Sequence, residues 1–255
     1  MNKRFLLLGL LLAFFTACDD DSTTAHSEVT QEETQTNTDE DGRAEDESAA
    51  EGDSEQAETP RANPTETPDD DVLGQLSEGV GIPAGEPAPD VAATDSDGNE
   101  VSLLELIEDE AILLFFYRGG WCPFCNFQIR QMTERADDFA DRGVLPVAIS
   151  VDKPDKAAQT DAAYEIPFPV LSDSDLEVHR AFSVVYEADD EEVERLAEMG
   201  MNLGEASGRN HNSYAIPGVF IIDSENTLRW AHANLDYSQR PSPDQLLAVI
   251  DEIFE

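Results

Sequence analysis

The sequence predicts one α/β domain, a mixed central sheet flanked by helices, preceded by a long disordered acidic linker. Residues 111–117, AILLFFY, form a continuous apolar run, which is typical of a central strand buried on both faces. Strand-like and helix-like segments alternate after this run, and the last two strand-like segments form a hairpin. Between residues 19 and 71, 20 acidic residues accompany two basic ones, and Val29 is the only apolar side chain apart from alanine and proline. This segment lacks the apolar area that would offset the entropy of folding.

The folded part is expected to cover residues 79–255, which is enough chain for a substantial core. A hairpin over residues 90–102 begins it, followed by a short helix with the capping-box pattern Ser-Leu-Leu-Glu. After the buried strand, apolar residues at helical spacing predict one helix from about Cys122 to Asp141. The remaining predicted elements are strands at 144–151, 170–171, 219–222 and 228–233, and helices at 154–164, 176–182, 189–201 and 242–254.

The first 17 residues have the pattern of an export signal. Lys3 and Arg4 precede an unbroken apolar run of 11 residues, which is too short for a membrane span and suits a secretory signal. Small residues and then Cys18 follow, and this order resembles the bacterial lipobox, although Phe15 replaces the usual leucine. The resemblance implies an exported lipoprotein, anchored through a lipid on Cys18 to the cell membrane and facing the periplasm or the cell exterior. An uncleaved anchor and a soluble secreted form are the alternatives.

On this interpretation residues 18–78 are a disordered acidic linker between the membrane and the domain. The domain itself is acidic as well, because 36 acidic and 11 basic residues from position 72 onward give it a net charge of −25. Such a surface repels phosphate groups, so a nucleic-acid partner is excluded.

The segment FFYRGGWCPFC carries two cysteines at the junction of the buried strand and the long helix. Cys122 and Cys125 therefore lie at a helix N-terminus, where free N–H groups and the helix dipole favour thiolate. Arg118 adds positive charge, and Trp121 directly precedes the pair. Pro123 stiffens the small ring that a disulfide between the two sulfurs would close. This pattern favours redox chemistry.

Other uses of two cysteines at this spacing stay open. A structural disulfide would close only a small loop, so it would stabilise the fold little. A zinc site would need two further ligands, but the sequence has no second CxxC and its four histidines lie singly. An inert buried pair is the remaining alternative. Neither a metal nor an organic cofactor is expected.

Three segments together, FFYRGGWCPFC, IPGVFIID and AHANLDYSQRPSPDQLL, resemble the peroxiredoxin-like branch of the AhpC/TSA group, which has the thioredoxin fold. The similarity covers residues 79–255. It implies that Pro217 is a cis-proline facing the active-site cysteines, and an ordinary turn proline is the alternative.

The sequence departs from the family pattern at the residues that activate the peroxide. Peroxiredoxins have a proline, then a threonine or serine, then the peroxidatic cysteine. Aligning Cys125 with that cysteine places Arg118 at the proline and Cys122 at the threonine. The family's arginine would fall near Leu176, and Arg180 is close to it but out of register. Helix position favours Cys122 as the nucleophile, whereas the family register favours Cys125 for peroxide.

The resemblance implies a thiol peroxidase that reduces hydrogen peroxide or organic hydroperoxides and is recycled by a thioredoxin-like dithiol protein. The alternative is a thiol–disulfide oxidoreductase acting on exported proteins, with Cys122 as the nucleophile. A non-catalytic or zinc-binding module is the third interpretation. The segment from about residue 189 to 214 is expected to decorate the surface rather than to cover the site. The oligomeric state stays open.

Overall fold

The apolar run predicted as a buried strand is the centre of the fold. In the computed structural model, which describes residues 67–107 and 110–255, Ala111–Phe116 is a strand whose six residues are all buried. The strands are β1 Ala92–Thr94, β2 Glu100–Ser102, β3 Ala111–Phe116, β4 Val144–Ser150, β5 Val170–Ser172, β6 Val185–Glu187, β7 Ser213–Ala215, β8 Gly218–Ile222 and β9 Leu228–Ala233. The helices are α1 Leu103–Ile107, α2 Pro123–Glu134, α3 Ala136–Ala140, α4 Pro154–Tyr164, α5 Glu177–Ala181, α6 Asp190–Glu198, α7 Leu203–Ser207 and α8 Pro243–Phe254.

Seven strands form one mixed sheet in the order β2-β1-β5-β4-β3-β8-β9. β3 pairs in parallel with β4 and antiparallel with β8, so both of its edges are occupied. Its side chains alternate between two hydrophobic clusters, one on each face of the sheet. Helices α1 and α5 contribute to the first cluster, and α2, α3, α4 and α8 contribute to the second. This is the thioredoxin-like arrangement that the sequence implied.

Most predicted elements are present, including both hairpins and the C-terminal helix with its capping box at Ser242. The single long helix predicted from Cys122 to Asp141 is wrong, because α2 and α3 are separate. They meet at Arg135, whose backbone leaves the helical region with φ of −114°. The Arg135 side chain bonds to Asp138 and Asp244, which holds the break against the start of α8.

The sequence did not predict β6 and β7, which have three residues each and form a separate two-stranded antiparallel sheet. These strands close residues 185–215, called here the cover segment, into a loop that also contains α6 and α7. Leu196, Leu203 and Tyr214 of this segment pack with Val151 and Leu176 in a third hydrophobic cluster. The cover segment is therefore packed against the domain.

Residues 68–77, assigned by the sequence to the linker, contact the domain. Leu76 forms a parallel bridge with Ala233 of the edge strand β9, and the Ser77 N–H donates to the Ala233 carbonyl at 2.9 Å. The Gln245 side chain donates to the Pro68 carbonyl at 2.9 Å. An edge strand offers unpaired backbone groups, and this segment satisfies some of them.

The predicted signal peptide, Cys18 and most of the acidic linker lie outside the described residues. None of the helices in the described ranges has the length and apolar character that a membrane span requires.

Candidate active site around Cys122 and Cys125

The two cysteines occupy the first turn of α2, directly after the loop that leaves β3. Cys122 is the N-cap, and its sulfur accepts the backbone N–H of Cys125 at 3.4 Å. Pro123 takes the first helical position, where its missing N–H removes no helical hydrogen bond. The helix therefore begins at the motif, as the sequence predicted. Both thiols are free and buried, with 1% of Cys122 and none of Cys125 exposed.

Cys125 receives two hydrogen bonds from positively polarised groups. The Arg240 Nη2 atom lies 3.3 Å from its sulfur, and the backbone N–H of Arg118 lies 3.4 Å away. Burial acts to raise the pKa of Cys125, but the hydrogen bond with the Cys122 thiol and these two donors outweigh burial and lower it. The same hydrogen bond raises the pKa of Cys122, and burial acts in the same direction. The geometry thus favours a thiolate at Cys125 beside a neutral thiol at Cys122.

Arg240 contacts the Cys125 sulfur and is a residue of this site that the sequence did not predict. It lies in the connection between β9 and α8, is 1% exposed, and donates to the Gln128 Oε1 atom at 2.6 Å and to the Tyr237 carbonyl at 2.9 Å. The residue considered instead, Arg180, is exposed and donates to the Asp175 carbonyl. The signal was in the third family-like segment, AHANLDYSQRPSPDQLL, whose only arginine is Arg240.

Arg118 affects Cys125 through the hydrogen bond of its backbone N–H and through the positive charge of its side chain. Its buried side chain lies against three aromatic rings, with the guanidinium carbon 4.4 Å from the ring centre of Tyr214, 4.6 Å from that of Tyr237 and 5.0 Å from that of Trp121. Its Nη2 atom is 3.6 Å from the Glu192 carboxylate. Its positive charge contributes to the lowered pKa of Cys125, as the sequence predicted.

The cover segment contributes directly to these contacts, so the expectation that it only decorates the surface is wrong. Glu192 belongs to α6, and its carboxylate accepts the Tyr214 hydroxyl at 2.9 Å as well as pairing with Arg118. The Tyr214 ring meets the Trp121 ring edge to face at 5.7 Å. Sequence patterns do not predict the register of this packing, because it depends on the short strands β6 and β7.

The turn before Cys122 is held by a buried carboxylate that the sequence analysis did not single out. Asp152 follows β4, and its Oδ2 atom accepts the Gly120 N–H at 2.7 Å. Asn126 donates to the carbonyl of the same glycine at 2.9 Å. Gly119 has φ of +145°, and a Cβ there would lie 2.3 Å from Trp121 Nε1 and 2.8 Å from Asp152 Oδ1, so only glycine fits. Burial raises the pKa of Asp152 to about 6, and the charge of Cys125 adds to this.

Pro217 directly precedes β8 and lines two small cavities, one beside Arg118 and one beside Arg240 and Gln128. The structure thus brings it to the same site as the two cysteines, and its cis geometry stays a prediction. Cys18, the predicted lipidation residue, is not among the described residues. Within the described ranges, no three His, Cys, Asp or Glu side chains come together in a way that would hold a metal ion.

Comparison with known protein families identifies the domain. The AhpC/TSA family model matches residues 84–231, which include β3, the cysteine motif, β8 and the first part of β9. The chain belongs to the AhpC/TSA family. Arg240 lies beyond the matched range, which is one reason that the family pattern alone does not locate it.

Curated relatives are similar over part of their length. A putative peroxiredoxin of Mycobacterium tuberculosis is 37% identical over 98 residues, which is 38% of this chain and 62% of the relative. The peroxiredoxin Bcp of Escherichia coli is 31% identical over 103 residues, 40% of this chain and 65% of the relative. The chain thus spans less than two thirds of each relative.

Solved structures agree on the fold. The peroxidoxin BcpB of Mycobacterium tuberculosis aligns over 68% of this chain and 98% of its own, with a TM-score of 0.52 and 22% identity. Reduced Prx3 of Vibrio vulnificus in complex with hydrogen peroxide aligns over 66% of this chain and 99% of its own, with a TM-score of 0.55 and 16% identity. At these identities the alignments show a shared fold.

Arg240→Lys should raise the pKa of Cys125, because lysine keeps the charge but loses the forked donor that reaches both the sulfur and Gln128. Thiolate absorbance in the ultraviolet, followed against pH in the Cys122→Ser background, measures the change. We expect the midpoint to move up by roughly one pH unit, equivalent to about 1.4 kcal/mol. Arg180→Lys is the matched control at an exposed site and should leave the midpoint in place. If Arg240→Lys has the same midpoint as the protein with Arg240, the contact between Arg240 and the Cys125 sulfur does not set the pKa of Cys125.

Asp152→Asn should move the same midpoint down. The ionised carboxylate is a like charge that disfavours the Cys125 thiolate, whereas asparagine is neutral and its Oδ1 still accepts the Gly120 N–H. Because a thiolate forms as pH rises through the thiol pKa, the variant should reach its thiolate plateau at a lower pH. Asp161→Asn, on the outer part of α4, serves as control. An upward shift would contradict the electrostatic coupling.

Proposed function

We propose that the domain is a thiol peroxidase in which Cys125 is the peroxidatic cysteine and Cys122 resolves. The Cys125 thiolate attacks the terminal oxygen of a hydroperoxide, the O–O bond breaks, and Cys125 becomes a sulfenic acid. The other oxygen leaves with a proton as an alcohol, or as water when the substrate is hydrogen peroxide. The Cys122 thiol then condenses with the sulfenic acid, which forms the Cys122–Cys125 disulfide and releases water. A thioredoxin-like dithiol protein returns the pair to two thiols and is itself oxidised to a disulfide.

One observation carries this assignment: the Cys125 sulfur accepts bonds from the Arg240 guanidinium and the Arg118 backbone N–H in a buried site. Donors fixed in place stabilise the thiolate and remain beside the charge that develops on oxygen during the transfer. The adjacent Cys122 keeps its proton until the sulfenic acid has formed. Membership of the AhpC/TSA family supports the same reaction.

Burial weighs against the alternative of a thiol–disulfide oxidoreductase acting on exported proteins. With 1% of Cys122 and none of Cys125 exposed, a protein disulfide cannot approach either sulfur in the reduced form. Cys125 is closed to a water-sized molecule too, so a hydroperoxide also needs the site to open, but by far less than a protein disulfide does. A dithiol protein can reach the Cys122–Cys125 disulfide only if the first turn of α2 opens on oxidation.

We further propose that the domain is exported and anchored through a lipid on Cys18. The support is the order of basic residues, apolar run, small residues and cysteine in the first 18 residues. The acidic chain between Cys18 and the packed segment at residue 68 would then be the tether. Its 49 residues have a root-mean-square reach of about 35–42 Å, and charge repulsion extends it further.

Reduced protein should react with hydrogen peroxide at least about 100-fold faster than free cysteine at pH 7, the effect of one preorganised donor. Stopped-flow fluorescence of Trp121, which directly precedes Cys122, follows the reaction. Cys125→Ser should abolish the fast phase, and Cys122→Ser should keep the first step while losing the disulfide. Insulin disulfides should be reduced slowly. A peroxide rate no faster than that of free cysteine, together with rapid insulin reduction, would support the alternative.

Cys18→Ser should release the full-length protein from membranes without unfolding the domain, since it removes the predicted lipid and the described part of the chain has no helix that could span a membrane. Detergent-phase partitioning after expression in a bacterium measures the release, and unchanged peroxide reactivity reports a folded domain. Ser22→Ala, in the neighbouring linker, is the control that should remain in the detergent phase. If the Cys18→Ser protein enters the detergent phase as fully as the unmodified protein does, the proposal of a lipid anchor on Cys18 is wrong.

A further inference from the structure

A cavity of about 240 Å³ lies between the active-site loop and the cover segment. Arg118 and Pro217 line it from the domain, Glu192 and Arg195 from the cover segment, and Tyr237 from the connection between β9 and α8. A water molecule occupies about 30 Å³ of liquid, so the volume is that of about eight waters. Hydrogen peroxide needs only a small part of this space.

The walls of the cavity are rich in large apolar side chains. Tyr186, Leu235 and Tyr237 line it and are exposed by 38%, 55% and 43%, respectively. The ring of Tyr186 stacks on that of Tyr214 with centres 5.0 Å apart, which makes a flat aromatic wall. Exposed apolar groups gathered around a cavity, with a few polar groups inside it, are typical of a small-molecule site.

The lining carries one positive charge in excess. Arg118 and Arg195 both pair with the same Glu192 oxygen, at 3.6 and 2.7 Å. The Glu192 carboxylate therefore pairs with two guanidinium groups, and it also accepts a hydrogen bond from the Tyr214 hydroxyl. Arg118 is 6% exposed, and its buried Nε atom has no hydrogen-bond partner. The domain around this cavity has a net charge of −25, so a local excess of cations is unusual for its surface.

We propose that this cavity binds a monocarboxylate with an aromatic or short aliphatic body. The carboxylate neutralises the excess charge and supplies an acceptor for the guanidinium groups, while the body packs against the tyrosine and leucine walls. The inner wall is Arg118, whose own backbone N–H donates to the Cys125 sulfur. Resting on the proposed function, the inference names the substrate class: organic hydroperoxides that carry a carboxylate.

The reaction with such a substrate is balanced within the proposed chemistry. Cys125 takes the terminal oxygen of the hydroperoxide and becomes a sulfenic acid, and the organic part leaves as a hydroxy acid with its carboxylate unchanged. Because the carboxylate takes no part in bond breaking, its effect is on binding and orientation. A hydrogen bond to a charged group is stronger than one to a neutral group, so a neutral ester of the same shape should react more slowly.

The test compares 4-(2-hydroperoxypropan-2-yl)benzoate with its methyl ester, using the reduced full-length protein. We expect the second-order rate constant of the carboxylate to exceed that of the ester by about 10-fold, which corresponds to about 1.4 kcal/mol. Arg195→Gln should reduce this ratio to less than about threefold, and Arg195→Lys should keep most of it. Arg209→Gln, an exposed arginine paired with Asp175 elsewhere, should keep the full ratio. Equal rates for acid and ester in the unmodified protein would overturn the proposal.

A binding measurement separates this inference from the proposed function. The reduced alcohols, 4-(2-hydroxypropan-2-yl)benzoate and its methyl ester, need no redox chemistry, and isothermal titration calorimetry measures their affinity for the protein. Tighter binding of the carboxylate by about 10-fold, lost in Arg195→Gln, supports the site even if no hydroperoxide reacts. Rapid reaction of both hydroperoxides with no binding of the carboxylate alcohol would overturn the site and leave the peroxidase intact.

Discussion

The chemistry of this domain depends on one buried sulfur that is hydrogen-bonded by groups from two distant parts of the chain. The Cys125 sulfur accepts a hydrogen bond from the Arg240 guanidinium and another from the backbone N–H of Arg118. Arg240 lies in the connection before α8, and Arg118 follows β3. A thiolate in an apolar core is costly unless donors compensate for the lost water. The remaining features of the site hold these donors in place or hold Cys122 beside them.

The fold supplies this support through several independent contacts. β3, buried and paired on both edges, carries the loop of Arg118 to the carboxyl end of the sheet. Asp152 accepts the Gly120 N–H and Asn126 donates to the Gly120 carbonyl, and these two hydrogen bonds fix the turn into α2. Gln128 and the Tyr237 carbonyl orient the Arg240 guanidinium. Since these partners come from the loop after β4, from α2 and from the connection before α8, the site requires these three parts of the chain to pack together.

Local signals were enough to predict most of the elements and the position of the cysteine motif at the start of α2, but they were not enough to predict the site. The buried run of β3 and the proline after Cys122 each depend on neighbouring residues, so the sequence shows them. Arg240 lies 115 residues from Cys125, and its role arises from tertiary contact alone. The break at Arg135 and the contact of Glu192 with Arg118 are also long-range effects, which periodicity does not report. The family register therefore predicts an arginine near Leu176, with Arg180 close by, whereas the packing brings Arg240 to Cys125.

The most direct test of this account is where the sulfenic acid forms. Reduced Cys122→Ser and Cys125→Ser proteins are each treated with one equivalent of hydrogen peroxide in the presence of dimedone, and the adduct is located by peptide mass spectrometry, with peroxide-free samples as controls. If Cys125 is the peroxidatic cysteine, the adduct forms on Cys125 in the Cys122→Ser protein and almost none forms in the Cys125→Ser protein. An adduct on Cys122 alone, confined to the Cys125→Ser protein, would contradict this assignment.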